Sequence, residues 1–216
     1  MSRTAALVFM ALFSALGGLY GWARLRSEWG EAGPPGLIVV IEPKTHLVTP
    51  PMAEASATMV GRQARAFDAE TTDGPRHAPA PSGPTVLTFI MDGCPCSAEA
   101  QPFFNRLHEA YPSATFLGVI DAEAPQANRW AERHKVAYPL VLDKPLKIVK
   151  DYQISNSAYV VLVDSKGTIA GHWPGYSEAM LIDLGSKLAA MTGAAETPLD
   201  LVDAPTQPYS GCPFEF

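Results

Sequence analysis

The chain has 216 residues, 47% of them apolar and 18% charged, proportions that support a packed core and exclude a disordered polymer. Its formal charge is −6, from 16 basic and 22 acidic residues, and no basic block occurs, so no nucleic-acid partner is expected. Three cysteines are too few to staple a scaffold, and two of them stand in Cys94-Pro95-Cys96, which points to chemistry instead.

Ala5 to Trp22 is 18 residues without a charge, flanked by Arg3 and by Arg24 and Arg26. A bilayer core takes roughly 17–25 helical residues. Residues 1–26 therefore read as a signal-anchor, with a cleaved signal peptide or a buried soluble helix as alternatives. No Cys follows the segment, so a lipoprotein anchor is not expected, and the basic flanks leave orientation open. The remainder is expected outside the cytoplasm, periplasmic or otherwise extracytoplasmic, with the membrane contact through residues 5–22. Residues 27–58 carry Gly33-Pro34-Pro35-Gly36 and Pro50-Pro51 with little periodicity, and read as a Pro-rich linker. Within it Leu37 to Ile41 is a run of β-formers suited to docking on the domain.

Residues 59–192 hold the regular pattern. After a Pro-rich loop from Pro75 to Pro84, Thr85 to Met91 is a β-run. Ala100, Phe103, Phe104, Leu107 and Tyr111 then fall on one face of a helix. Thr115 to Ile120 is a strand, and Pro125 to His134 a helix with Pro in its first turn. Pro139 to Leu142 predicts a strand and Leu146 to Tyr152 a short helix. Tyr159 to Val163 and Thr168 to Trp173 are strands joined by Asp164-Ser165-Lys166-Gly167, a hairpin signal. A last helix sets Leu181, Leu184, Leu188 and Met191 inward. This order predicts an α/β class with a central mixed sheet covered by helices on both faces. Residues 193–216 form a polar, Pro-interrupted tail expected to be poorly ordered, ending in Ser210-Gly211-Cys212-Pro213-Phe214.

Cys94 follows a strand and precedes a helix. Unpaired backbone N–H groups and the positive end of the helix dipole gather there, so its thiol pKa should fall below the free value of about 8.5. The thiolate is the attacking species in disulfide exchange. Cys94 is thus expected to be an exposed nucleophile. A Cys94–Cys96 bridge closes a tight ring that carries strain, and strained bridges are readily reduced. Other readings of the pair remain open: two buried small hydrophobes, or soft ligands for copper or zinc together with Cys212 or a histidine, although His134 and His172 show no ligand spacing. Glu99 and Arg129 are the charged residues most plausibly near the site, though solvated helix faces explain both equally well.

From Val60 to Thr192 the residues resemble the redoxin branch of the thioredoxin superfamily, the AhpC/TSA (peroxiredoxin-like) group and the membrane-tethered thiol–disulfide oxidoreductases. Val60 to Phe67 followed by Asp73-Gly74 is similar to the family's opening. Phe89 to Pro102 is similar to its strand–active-site–helix unit. Tyr138-Pro139-Leu140 with Asp143, Asp151 to Ile154, Val161 to Gly167, and Gly175 continue the likeness in order. The chain also departs from the pattern. Ser97 takes the family's second Cys position, the second thiol standing one residue earlier at Cys96. Ala158 takes the place of the cis-Pro. Met91 and Leu87 replace the Thr/Ser and Pro of the peroxidase signature.

The resemblance implies a thioredoxin-like fold and a thiol–disulfide oxidoreductase without a cofactor. Cys94 would attack and Cys96 would resolve, with Cys212 as a possible further resolving thiol. The partners implied are a thiol or disulfide substrate, protein or small molecule, and a thiol reductant. The alternatives are a thiol peroxidase passing through a Cys94 sulfenic acid, a copper- or zinc-binding chaperone of the same fold, and a degenerate domain serving as a scaffold.

Overall fold

The structure is a computed structural model that describes residues 46–80 and 82–216. The segment Ala5–Trp22 and the run Leu37–Ile41 lie outside those residues. Among the described residues no helix is long and apolar enough to cross a membrane.

The described chain opens with a helix, α1 (Pro50–Ala57), within the stretch read as linker. Its cause is local. Thr49 accepts a hydrogen bond from the Met52 N–H, and the prolines sit at the first positions, where a helix needs no N–H donor. Ser56 of α1 is buried, its hydroxyl 2.9 Å from His172 Nδ1. Strands β1 (Phe67–Ala69) and β2 (Arg76–Ala78) form a small antiparallel ribbon, the second inside the expected Pro-rich loop.

The remaining elements follow the predicted order. They are β3 (Thr85–Ile90), α2 (Pro95–Ala110), β4 (Thr115–Ile120), α3 (Ala124–His134), β5 (Leu140–Leu142), α4 (Lys147–Asp151), β6 (Val160–Val163), β7 (Ile169–Trp173) and α5 (Glu178–Thr192). Among the described residues the main sheet has the order β5-β4-β3-β6-β7. β3, β4 and β5 run parallel, β6 is added antiparallel to β3, and β7 is added antiparallel to β6. The mixed sheet places the end of β3 centrally, where α2 begins.

Alternation along the strands feeds two cores. Val86, Phe116, Val160 and Leu162 meet α2 and α5 through Phe103, Phe104, Leu107, Leu181, Leu184 and Leu188. Leu87, Phe89, Val119, Val161 and Val163 meet α4 through Ile148 and Val149 on the opposite face. Helix α3 packs Ala127 and Trp130 against Ile90, Ile120 and Leu140. Strands buried on both faces must read as continuous apolar runs, which is why sequence located them. Each such side chain contributes about 1.5–3 kcal/mol on burial. One inward assignment fails: Met191, in the last turn of α5, is 37% exposed, and Met180 and Gly185 are buried instead.

The tail departs further from expectation. It is bound by main-chain hydrogen bonds. Tyr176 and Tyr209 exchange N–H···O bonds of 2.9 Å in both directions, and the Val48 N–H donates to the Pro208 carbonyl at 3.0 Å. The Ser210 N–H donates to the His46 carbonyl at 2.7 Å. Phe214, 5% exposed, is part of the α4-side core. Composition reads such a segment as loose because its bonding partners lie far away in sequence.

Candidate functional site

β3 ends at Ile90, and a turn brings the Cys94 N–H to the Met91 carbonyl at 3.1 Å. Cys94 keeps an extended backbone and is the N-cap residue of α2, with Pro95 in the first helical position. The Ser97 hydroxyl accepts from the Met91 N–H at 3.2 Å, tying the first turn of the helix back to the strand. Position 97, where the family carries its second Cys, therefore has a structural hydrogen bond here.

The facing wall is the loop before β6. Ala158 has a left-handed backbone, φ 60°, unusual for a residue with a Cβ, and its N–H donates to the Phe89 carbonyl at 2.7 Å. That anchors Ser157 opposite the helix start. The Ser157 hydroxyl donates to Cys94 Sγ at 3.2 Å, and the Cys212 N–H donates to the same sulfur at 3.2 Å. Around Cys212 the tail pairs main chain to main chain with that loop: the Ser157 N–H donates to the Cys212 carbonyl at 2.9 Å, and the Gly211 N–H donates to the Ser157 carbonyl at 2.8 Å. A Cβ on residue 211 would collide with the Ser157 hydroxyl, so glycine is required for this approach.

All three sulfurs converge. The Cys96 thiol hydrogen-bonds to Cys94, and the Cys212 thiol does the same. The Cys94 thiol is depressed to a pKa of about 3, chiefly by the bond from Cys96, against burial, with Ser157 and Cys212 adding to the effect. Sequence predicted the direction from the helix end, but the largest cause is the neighbouring thiol. Cys96 moves the opposite way, far above its ordinary value, because it donates to Cys94 and is buried. The arrangement is one thiolate held by thiol, hydroxyl and amide donors.

Cys94 is not the exposed residue the sequence suggested. It is 3% accessible and Cys96 is 4% accessible. Glu99 lies within electrostatic reach of Cys96, and it hydrogen-bonds to Tyr176, whose phenol is raised mainly by burial and then by Glu99 and the two sulfurs. Arg129 is exposed on α3. His172 is engaged by Ser56 and the Tyr152 carbonyl, and His134 lies against Trp130. Among the described residues no group of three or more His, Cys, Asp or Glu is arranged to hold a metal ion. Sequence reasoning missed Ser157. Its one signal was its place directly before Ala158, at the family's cis-Pro position.

Comparison with known proteins follows the same line. The model of the AhpC/TSA family matches residues 60–172. The chain is 26% identical over 91 residues to sporulation thiol-disulfide oxidoreductase A of Bacillus subtilis, covering 39% of this chain and 55% of that protein. The match thus spans about half the relative's length. A secreted disulfide oxidoreductase of Mycobacterium tuberculosis superposes with a TM-score of 0.51 at 22% identity, over 58% of this chain and 96% of that one. The bacterioferritin comigratory protein of Xanthomonas campestris, described for alkyl peroxide reduction, gives 0.51 at 18% identity, over 57% and 90%. These structures establish the thioredoxin-like fold. With more than half its length matched, the chain belongs to the AhpC/TSA family.

Proposed function

We propose that the protein is a thiol–disulfide oxidoreductase in which Cys94 is the attacking sulfur and Cys96 the resolving one. The observation that carries this reading is the Cys94 sulfur at the N-cap of α2, accepting hydrogen bonds from the Ser157 hydroxyl and the Cys212 N–H, with the second thiol of Cys96 in the first turn of the same helix. The Cys94 thiolate attacks one sulfur of a substrate disulfide; a Cys94–substrate bond forms, the substrate S–S bond breaks, and a thiolate leaves. Cys96 then loses its proton and attacks Cys94 Sγ. The Cys94–Cys96 bond forms and the second substrate thiolate departs, taking up the proton. An external thiol reductant returns the pair to the dithiol.

No residue at position 91 supplies the hydroxyl a peroxidase would use, since that residue is Met91. The hydroxyl beside Cys94 comes from Ser157 instead. Exchange with sulfur is therefore favoured over attack on peroxide. The test is reduction of a small-molecule disulfide by the full chain with a dithiol reductant present. Cys94→Ser should abolish turnover, and equal turnover by wild type and Cys94→Ser would overturn the reading.

The uncharged segment Ala5–Trp22 supports a membrane-anchored domain outside the cytoplasm, where a disulfide can persist. Protease added to intact spheroplasts should then remove the domain, whereas complete protection would place it inside.

A further inference from the structure

The buried state of Cys94 conflicts with a role in exchange unless something moves. Cys94 lies beneath the tail segment that pairs with Ser157 on both sides of Gly211–Cys212. That pairing is main-chain bonding between an extended segment and a loop edge, and it is reinforced by the Asn156 side-chain amide donating to the Gly211 carbonyl at 2.9 Å. Beyond it, the Phe214 N–H donates to the Ser155 carbonyl at 2.9 Å, and the Phe214 ring is buried. A disulfide carried by another molecule needs approach along the line to Cys94 Sγ, and the Cys212 N–H and thiol already occupy that sulfur's surroundings.

We propose that the C-terminal tail is a displaceable cover over Cys94, and that Cys212 locks it shut by forming a disulfide with Cys94. This rests on the reading of Cys94 as the exchanging sulfur. With the tail lifted, Cys94 meets its substrate. With the tail seated, Cys212 is held against Cys94 Sγ by its own N–H and by main-chain bonds to Ser157, none of which uses the Cys212 side chain, so the pair is prearranged for closure. The chemistry needs only a small-molecule disulfide as oxidant. The Cys94 thiolate attacks it, forming a mixed disulfide and releasing one thiolate. The tail returns and Cys212 loses its proton to attack Cys94 Sγ. The Cys94–Cys212 bond forms, and the second small thiol leaves with that proton. The disulfide is reduced by two electrons and the two cysteines are oxidised by two. Unlike Cys94–Cys96, this bridge joins sulfurs 118 residues apart, without the strain of a one-residue spacer. Its product holds the cover in place until a reductant opens it.

Two measurements on the full chain test the proposal. The first is the rate of Cys94 alkylation by iodoacetamide in the reduced protein, read by peptide mass spectrometry. Gly211→Ala introduces a Cβ that collides with Ser157, so it should unseat the tail and raise the rate at least about tenfold, as expected when reaction requires a minor open state. Phe214→Ala, which withdraws the tail's buried ring, should act in the same direction and guards against one variant failing to fold. Wild-type rates equal to both variants overturn the cover.

The second measurement is peptide mapping after titration with oxidised glutathione. A Cys94–Cys212 linkage is expected in wild type and its absence in Cys212→Ser, whereas Cys94–Cys96 as the sole bridge overturns the lock. The Cys96→Ser/Cys212→Ser double variant separates the two levels. A glutathione adduct on Cys94 there keeps Cys94 as the exchanging sulfur even if the lock has failed. Its absence removes the functional reading itself.

Discussion

At the scale of single residues, the distinction between Cys94 and Cys96 is a matter of which sulfur receives hydrogen bonds. Cys94 collects donors from Cys96, Ser157 and Cys212, while Cys96 spends its proton on Cys94. A buried thiolate surrounded by donors is stabilised relative to the thiol, and each bond to a charged group contributes about 1.5–3 kcal/mol. With a folded value of about 3 against an ordinary 9.0, the ionised group contributes stability that is complete above about pH 9 and disappears as pH falls through 3. The thiolate ultraviolet absorbance should therefore persist at pH 5 and be absent in Cys94→Ser. Ser157→Ala withdraws one donor without moving the backbone, so the midpoint of that titration should rise by about one to two pH units. A midpoint unchanged by the substitution would deny Ser157 any part in holding the charge.

Among the elements, α1 and β7 share a buried hydrogen-bonded pair, Ser56 and His172. His172 Nε2 donates to the Tyr152 carbonyl at 3.1 Å and Nδ1 meets Ser56 Oγ at 2.9 Å, with the edge of Tyr159 beside it. Burial lowers its pKa from 6.5. The unfolded chain then binds a proton that the folded chain refuses, so the His172 contribution to stability falls as pH drops below 6.5 and levels off beneath the folded value. Thermal melts from pH 7.5 down to 5.5 should show a decline that is shallower in His172→Gln, and parallel declines in the two proteins would reject the assignment. This pairing also marks a limit of reading sequence. The strands of the main sheet were visible because burial on both faces forces apolar runs such as Val160 to Val163. Helix α1 carries a local signal, Thr49 followed by two prolines, but its attachment to His172 spans 116 residues and leaves no local trace. The β1–β2 ribbon is equally quiet, because its three-residue strands are too short for a period to show. Of the site, Cys94 and Cys96 were legible from their place at a strand–helix junction, whereas Ser157 and the seated tail depend on contacts made only in three dimensions.

For the described domain as a whole, the two ends are joined to each other and to the site. Tyr209 is bridged on one side to Leu47 and on the other to Tyr176, so a short ribbon binds the start of the domain, the residues before α5, and the tail that reaches Cys94. The close approach on the α5 side is allowed by Gly175. A Cβ there would collide with the Tyr209 carbonyl and press on the Ser210 nitrogen. Both are backbone atoms, so no side chain can rotate away and the tail segment itself must shift. Overpacking of this kind costs about 1–3 kcal/mol, and in a domain of this size each kcal/mol lowers the melting temperature by about 2–4 °C. Gly175→Ala should accordingly melt several degrees below wild type. The damage should also be directional: the amides of Tyr209, Gly211 and Cys212 should exchange hydrogen faster, while the Val161 and Phe89 amides in the main sheet keep their order of protection. Uniform loss of protection across sheet and tail would mean that Gly175 supports the whole fold, and not the ribbon that carries the tail to Cys94.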